Sequence, residues 1–349
     1  MAVGEPATMQ DLARMAGVSV ASVSRALSGK PGVSAETRST IARLAREHGF
    51  TGNQPARALS TGRTGRIAVT LPSIQAEYFG RILAGAAQVI HDAGLSLVLE
   101  ATHHERDRHS DAIQRFMRTG VDGALLLLPA ESAREISALY DSGFKFVIID
   151  PSDQVTDPSP WITSTNAMGA RQAVEHLLGL GHRRIAVITG ETHRFSTKER
   201  LNGVRDALER VGLDLDPGLV RVSHYTESGG AYEATLDLLR HPDPPTAIFA
   251  FSDRLAFGTL QAAHALKVPV PDALSVVGFD DLEAAALVSP ALTTVRQPLS
   301  VMGSTAATAL LQLINGESPA GMHIQLATEL IVRQSTGAPK SHDAELRPS

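Results

Sequence analysis

Arg25 lies in residues 8–28, a stretch of helical apolar spacing, with Val20 and Ala21 ahead of it on the outward side. A guanidinium on an exposed helix face can pair with guanine through two parallel hydrogen bonds, and Val20 and Ala21 offer apolar contact to thymine methyls. A second set of chemistry-bearing residues comes later, each just beyond an apolar run. Tyr78 and Phe79 follow IAVTL, Asp150 ends FKFVIID, and Arg194, Ser196 and Arg200 follow IAVITG. Ser252 and Asp253 end PTAIFAFSD, and Asp280 ends LSVVGFD. Carboxylates and a planar guanidinium on rigid strand ends suit the vicinal hydroxyls of a sugar, and an aromatic face can stack on a ring.

The elements that must hold Arg25 are two short helices meeting at Gly17. The first carries Leu12, Ala13 and Ala16 at helical spacing. The second opens at Ser19, a good N-cap, carries Val23, Ala26 and Leu27 on one face, and is stopped by Gly29 and Pro31. This is a helix-turn-helix pattern, whose second helix enters the major groove and here shows Val20, Ala21 and Arg25 outward, with Ser22 and Ser24 beside them. Ser34 caps a third helix with Ile41, Leu44 and Ala45 as its inner stripe and Gly49 as its stop. Residues 50–66 lose the periodicity and hold basic residues without an acid; Pro55 to Ser60 there can form one helical turn that folds against DNA.

The elements that must hold the second set alternate buried-strand and helix patterns. Runs at 67–71, 95–99, 123–128 and 144–150 read as parallel strands, with helices at 78–93, 109–119 and 132–142 between them. After Trp161 the scheme restarts, with strands at 185–189, 219–223, 246–251 and 274–279 and helices near 167–180, 197–211, 229–240 and 254–266. The double alternation predicts two doubly wound α/β lobes. In open α/β sheets ligands bind beyond the carboxyl ends of the strands, so the second set would gather in one cleft between the lobes. The leftover TTVRQ, a helix at 299–315 and residues 323–333 must return to the lobes, so the chain crosses between them more than once.

Charge separates the two halves. Residues 1–66 hold nine Lys/Arg against four Asp/Glu, a net +5, and residues 67–349 carry −10 of the total −5. A basic head on an acidic body suits a phosphate-binding module joined to something else. The absence of cysteine excludes disulfides, thiolate metal sites and cysteine nucleophiles. No leader pattern opens the sequence and no apolar run approaches bilayer length, so a cytoplasmic protein without membrane contact is expected.

The head resembles that of the lac repressor family of bacterial regulators, in its helix order followed by Asn53 and the run Ala56-Arg57-Ala58-Leu59. The family usually has proline directly before the asparagine; here it is Gly52, with Pro55 beyond. The resemblance implies that Val20, Ala21 and Arg25 read bases and that Thr8, Ser19, Ser24, Ser34, Thr37 and Asn53 contact phosphates. It also implies that Arg57 belongs to a DNA-contacting hinge helix whose Leu59 wedges into the minor groove. The body resembles the family's sugar-binding core, shared with periplasmic binding proteins, through LGLGHRRIAVITG (178–190), ERLNGVRDAL (199–208), PTAIFAFSD (245–253), LSVVGFDD (274–281) and SPALTTVRQP (289–298) in that order.

By this resemblance residues 1–50 are the DNA-binding head, 51–65 the hinge, 66–337 the effector-binding and dimerisation core, and 338–349 a disordered tail. A head-side lobe takes 66–162 and 294–322, and a far lobe 163–293 and 323–337. The effector residues implied are Tyr78, Phe79, Asp150, Arg194, Ser196, Arg200, Tyr225, Ser252, Asp280 and Gln297. Asp253 and Asp281 are read as structural helix caps. The tail lacks leucine heptads that tetramerise some relatives, so a homodimer on palindromic operator DNA is expected, with no cofactor.

Function follows as a ligand-responsive transcriptional regulator, a repressor of a carbohydrate-utilisation operon released by a sugar. The Tyr78–Phe79 pair with Arg194 and Ser196 also resembles the purine-responsive branch, so a purine or nucleoside is the alternative effector. A sugar-processing α/β enzyme with an appended head is the other class, and it lacks a nucleophile–base spacing or a phosphate loop. A transport-linked binding protein is disfavoured by the basic head. His103, His104, Asp107 and His109 are read as a solvated loop rather than a metal site, and His182 as a turn residue.

Overall fold

The computed structural model describes residues 7–28, 30–50, 63–103, 105–153, 158–223, 228–317 and 322–339. The hinge turn with Asn53, Arg57 and Leu59, and also Tyr225, His104 and residues 340–349 of the tail, lie outside them. The chain divides into two units, Met1–Thr64 and Gly65–Ser349.

Among the described residues the first unit has three helices, α1 (Met9–Ala16), α2 (Val20–Leu27) and α3 (Ala35–Glu47). Thr8 and Asp11 form a capping box at the start of α1, and the Thr8 bonds hold the exposed Asp11 carboxyl below the usual range. Gly17 ends α1 at φ 65°, a left-handed conformation that glycine adopts without Cβ strain. Ser19 and Ser34 accept from the Ser22 and Thr37 amides, both at 3.1 Å, and so start α2 and α3. Leu12, Ala13, Val23, Ala26 and Ile41 form the core, with Leu44 and Ala45 packed against it. Leu27, expected inward, is 39% exposed because α2 ends there and its last turn leaves the core. Arg38 donates to the Ala26 and Lys30 carbonyls at 3.0 and 2.9 Å and ties the end of α2 to α3.

The second unit is built on two six-stranded sheets. The first lobe holds β1 (Arg66–Leu71), β2 (Ser96–Ala101), β3 (Gly123–Leu127), β4 (Phe146–Ile149), β5 (Trp161–Ser164) and β11 (His323–Leu326), in the order β11-β5-β4-β3-β1-β2. The second holds β6 (Ile185–Thr189), β7 (Val220–Val222), β8 (Ala247–Ala250), β9 (Ser275–Asp280), β10 (Thr293–Arg296) and β12 (Glu329–Ile331), in the order β12-β10-β9-β8-β6-β7. Described pairings are parallel except β10 with β12. Registers such as Val69 opposite Leu125 and Val187 opposite Phe249 stack the apolar runs side by side. β3, β4, β6, β8 and β9 are buried along their whole length, as continuous apolar runs require when helices cover both faces.

Helices cover both sheets: α4 (Glu77–Asp92), α5 (Arg106–Thr119) and α6 (Ala133–Asp141) follow strands of the first. α7 (Asn166–Gly179), α8 (Phe195–Glu209), α9 (Ser228–Leu239), α10 (Asp253–Ala265) and the short α11 (Glu283–Leu287) accompany the second. α12 (Leu299–Ile314) returns to the first lobe and lies on α4. The two helices touch backbone to backbone: a Cβ on Gly303 would stand 1.9 Å from the Ile82 carbonyl oxygen, and one on Gly85 1.9 Å from that of Ser300.

Sheet membership moves the lobe crossings expected from sequence. β5 runs to Ser164, so the first crossing follows 164 rather than 162. β10 pairs with β9, so 293–296 belongs to the second lobe and the return follows it. Residues 323–326 pair with β5, so the second-lobe segment starts only with β12. The signal was weak because 323–333 reads as one apolar alternation, while Ala327 and Thr328 break it into strands of two sheets.

Two histidines also differ from expectation. His109 is buried on α5, with Nδ1 2.5 Å from Glu131. His182 is 1% exposed and bonds Thr246, Ser275 and the Gly337 carbonyl, so it pins residue 337 to the second lobe. Burial holds the His182 imidazole below its usual range, more than the Gly337 bond raises it.

Gly303→Ala is expected to force α4 and α12 apart and cost about 1–3 kcal/mol, read as a drop in urea midpoint. Because the folded-state pKa of His182 is depressed, its stabilisation is present above the unfolded pKa of about 6.5 and is lost as pH falls through the folded value. The stability gap between wild type and His182→Gln should therefore shrink from pH 7.5 to pH 5.5, as measured by paired urea titrations.

Candidate functional site

In the head, α2 presents Val20, Ala21, Ser24 and Arg25, all exposed. Gly32, whose φ of 97° is one that L side chains rarely adopt, lies against the Arg25 guanidinium. Thr8, Ser19 and Ser34 sit at helix N-termini with their hydroxyls engaged in capping, and Thr37 Oγ1 lies 2.8 Å from Ser34 Oγ. Helix starts concentrate outward N–H groups and positive dipole, the two features that hold phosphate. Three of the expected phosphate positions, Thr8, Ser19 and Ser34, thus coincide with helix starts and Thr37 with a first turn, while Ser24 lies in the second half of α2.

In the second unit, a cleft of about 830 Å³ opens where the carboxyl ends of the two sheets meet. Its walls come from the segments that follow β1, β2, β3 and β4 in one lobe and β6, β8 and β9 in the other. Tyr78, Phe79, Asp150, Arg194, Ser196, Arg200, Ser252 and Asp280 all line it, as the strand-end logic expects. Gln297 does not; it sits 1% exposed behind Asp280, donating to Asp280 Oδ1 at 2.7 Å and accepting from Ser164 Oγ at 2.6 Å.

Positive φ marks these strand ends. Leu128, Asp150, Asp280 and Asp281 have φ of 49°, 53°, 131° and 56°. Such conformations cost non-glycine residues about 1–3 kcal/mol each and persist where surrounding contacts enforce them. Here they turn each chain end toward the cleft.

The polar groups are already organised. Tyr78 and Thr163 donate to the two carboxylate oxygens of Asp150. Burial pushes the Asp150 carboxyl up, against those two bonds, and pushes the Tyr78 phenol well up, so Tyr78 keeps its proton as donor. Asp280 accepts from Gln297 and from the Asp253 backbone, and burial followed by the Asp253 charge pushes it well above the usual range. Arg200, 5% exposed, donates to Asn166 Oδ1 at 2.8 Å and to the Phe251 carbonyl, and its guanidinium carbon lies 3.7 Å from the Phe279 ring centroid. A flat cation, two buried carboxylates and the edge-to-face Tyr78–Phe79 pair, with ring centroids 5.2 Å apart, therefore face one volume.

Asp253 is structural, as read from sequence, but it is not a cap. Its oxygens take the Leu282 N–H and the Thr294 hydroxyl, and burial raises its pKa to about 6. Ser252 is the cap, accepting from the Leu255 amide at 3.2 Å. Asp281 bonds Arg296 and Arg333, which outweigh burial and hold it below the usual range. His103, Glu131, Glu191 and Lys198 also line the cleft and were missed. They follow β2, β3 and β6, so the strand-end rule would have found them had it been applied to every strand.

Among the described residues no group of histidine and acid side chains could hold a metal ion, and no helix is long and apolar enough to cross a membrane. Two family models match the chain: "Bacterial regulatory proteins, lacI family" over residues 8–53 and "Periplasmic binding protein-like domain" over 174–336. The HTH-type transcriptional regulator DegA of Bacillus subtilis is 32% identical over 94% of this chain and 98% of its own. The ribose operon repressor of Escherichia coli is 31% identical over 94% and 99%. The lac repressor dimer bound to operator and an anti-inducer superposes with a TM-score of 0.86 at 28% identity, covering 96% of this chain and all of that one. A complex of the transcriptional regulator CelR with cellobiose gives 0.72 at 30% identity, covering 94% and 99%. These relatives are transcriptional regulators. With its head, its two-sheet body and nearly its whole length matched, the chain belongs to the lacI family of bacterial regulatory proteins.

Proposed function

We propose that this family member is a dimeric repressor of a carbohydrate-utilisation operon and that a sugar in the cleft releases it from a palindromic operator. The observation carrying the sugar reading is the facing of Asp150, Asp280 and Arg200 across one volume with the Phe79 ring beside them. Buried carboxylates gain most from ligands with several hydroxyl donors, since each new bond offsets desolvation. The names of two relatives, a ribose operon repressor and a regulator solved with cellobiose, point the same way.

A purine or nucleoside is the second reading, favoured by the edge-to-face Tyr78–Phe79 pair at the cleft wall. The repressor PurR of Pasteurella multocida, 29% identical over 94% of this chain, accords with it. In the head, Val20, Ala21 and Arg25 are assigned to base contact. Thr8, Ser19, Ser24, Ser34 and Thr37 are assigned to phosphate contact, the capping hydroxyls acting through the helix starts they fix. Asn53, Arg57 and Leu59 are assigned to the hinge and Tyr225 to the effector.

Thermal-shift screening against a panel of sugars, purines and nucleosides separates the two readings. A sugar that raises the melting temperature and weakens operator binding supports the first, and a purine hit with silent sugars replaces it. Asp280→Asn keeps an oxygen acceptor toward Gln297, and it should abolish the response to that compound while leaving operator affinity near wild type in gel shifts. Arg25→Ala should lose about 1–3 kcal/mol of discrimination between operator and random DNA, whereas equal losses on both would make Arg25 a phosphate contact.

A further inference from the structure

Residues 280–283, from the last residue of β9 to the first of α11, make four different kinds of attachment in four consecutive positions. Asp280 lines the cleft. Asp281 has its carboxylate held inside the second lobe by Arg296 and Arg333, at 2.7 and 2.5 Å, while its carbonyl accepts from Arg81 of α4 in the first lobe at 2.7 Å. Leu282, 5% exposed, packs into the first lobe's core beside Phe79 and Ile82, although its N–H is held by Asp253 of the second lobe. The Glu283 N–H donates to Glu77 Oε1 of α4 at 2.8 Å. Asp280 and Asp281 both have positive φ, so the segment is turned back toward α4 against its own backbone preference.

Glu77 and Arg81 stand one turn apart on α4, on either side of Tyr78 and Phe79 of the cleft wall. They grip a carbonyl and an amide, groups that any residue at 281 and any but proline at 283 would supply. The other side of the cleft is joined, among the described residues, by contacts between the segments that follow β4 and β6. There the Phe195 N–H meets the Ser152 carbonyl at 2.9 Å, and the Lys198–Asp153 pair, 3.6 Å apart with both side chains over half exposed, adds little in water.

We propose that Arg81 and Glu77 are positioning residues that clasp the 280–283 segment across the lobe boundary. They hold the cleft closed on the α4 side and fix Asp280 relative to Tyr78 and Phe79. This rests on the reading of the cleft as an effector site, but the clasp itself is tested without effector, so either idea can fail alone. Because both lobes share residues 280–283, opening the cleft requires withdrawing Leu282 and breaking both backbone grips together.

The chain has no cysteine, so a donor and an acceptor dye can be placed at Gln114→Cys and Glu209→Cys, exposed positions on α5 and α8. Labelled chain is diluted with unlabelled chain, so that one labelled protomer is observed. Arg81→Met and Glu77→Ala, each melting as one folded protein, are expected to populate a longer inter-dye distance than wild type. Hydrogen exchange at the Glu283 amide should also rise several-fold in Glu77→Ala. Glu77→Gln keeps the Oε1 acceptor and should restore both readouts. Wild-type distances together with wild-type exchange in both variants would overturn the clasp. So would a Glu77→Gln protein that opens as far as Glu77→Ala, because the bond would then not be the cause.

Discussion

Three carboxylates buried where two sheets end set the terms for the rest of this molecule. Asp150, Asp253 and Asp280 are 5%, 0% and 6% exposed, and burial raises the pKa of all three. A buried carboxylate is stable only if hydrogen-bonded, and the surrounding residues are chosen to do that. Tyr78 and Thr163 serve Asp150, Gln297 serves Asp280, and Thr294 with the Leu282 N–H serves Asp253. Gly278 is glycine for the same reason, since a Cβ there would lie 2.3 Å from Asp253 Oδ1. Each lobe thus shelters acids at the ends of its strands, at some cost in stability.

This arrangement also accounts for the backbone strain beside the cleft, whereas positive φ at Lys267 ends α10 elsewhere. Positive φ at Leu128, Asp150, Asp280 and Asp281 falls at the ends of β3, β4 and β9 and beside the cleft. The strands deliver their last residues straight outward, and only a sharp turn brings the side chains round to face the opposite lobe. Rigid parallel sheets fix the origin of each turn, and the buried acids fix its direction.

Much of this was legible in the sequence because it rests on periodicity and punctuation. The apolar runs 185–189 and 123–128 announced β6 and β3, and Ser19, Ser34 and Gly17 announced the ends of the head helices. The strand-end rule then led to Tyr78, Phe79, Asp150, Arg194, Ser196, Arg200, Ser252 and Asp280, all of which line the cleft. What failed was non-local. Nothing in HIQLATELIVR says that its halves pair with different sheets, because pairing partners lie more than thirty residues away for one strand and more than a hundred for the other. His109 and His182 were misread because a histidine's partner, here Glu131 or Ser275, is set by tertiary packing rather than by neighbours in sequence. Gln297, expected at the effector, does not line the cleft and instead supports Asp280 from behind.

The split of 323–331 into β11 and β12 bears on how the protein is made. β11 completes the edge of the sheet begun by β1 and β2, some 220 residues earlier in synthesis. As the ribosome moves through the second lobe, the first one waits with an unpaired strand edge at β5. Such an edge is a template for joining another chain. The nascent protein therefore shows β5 and β10 as free edges until late in translation, and the last strands to pair cover both and become the short outer strands themselves.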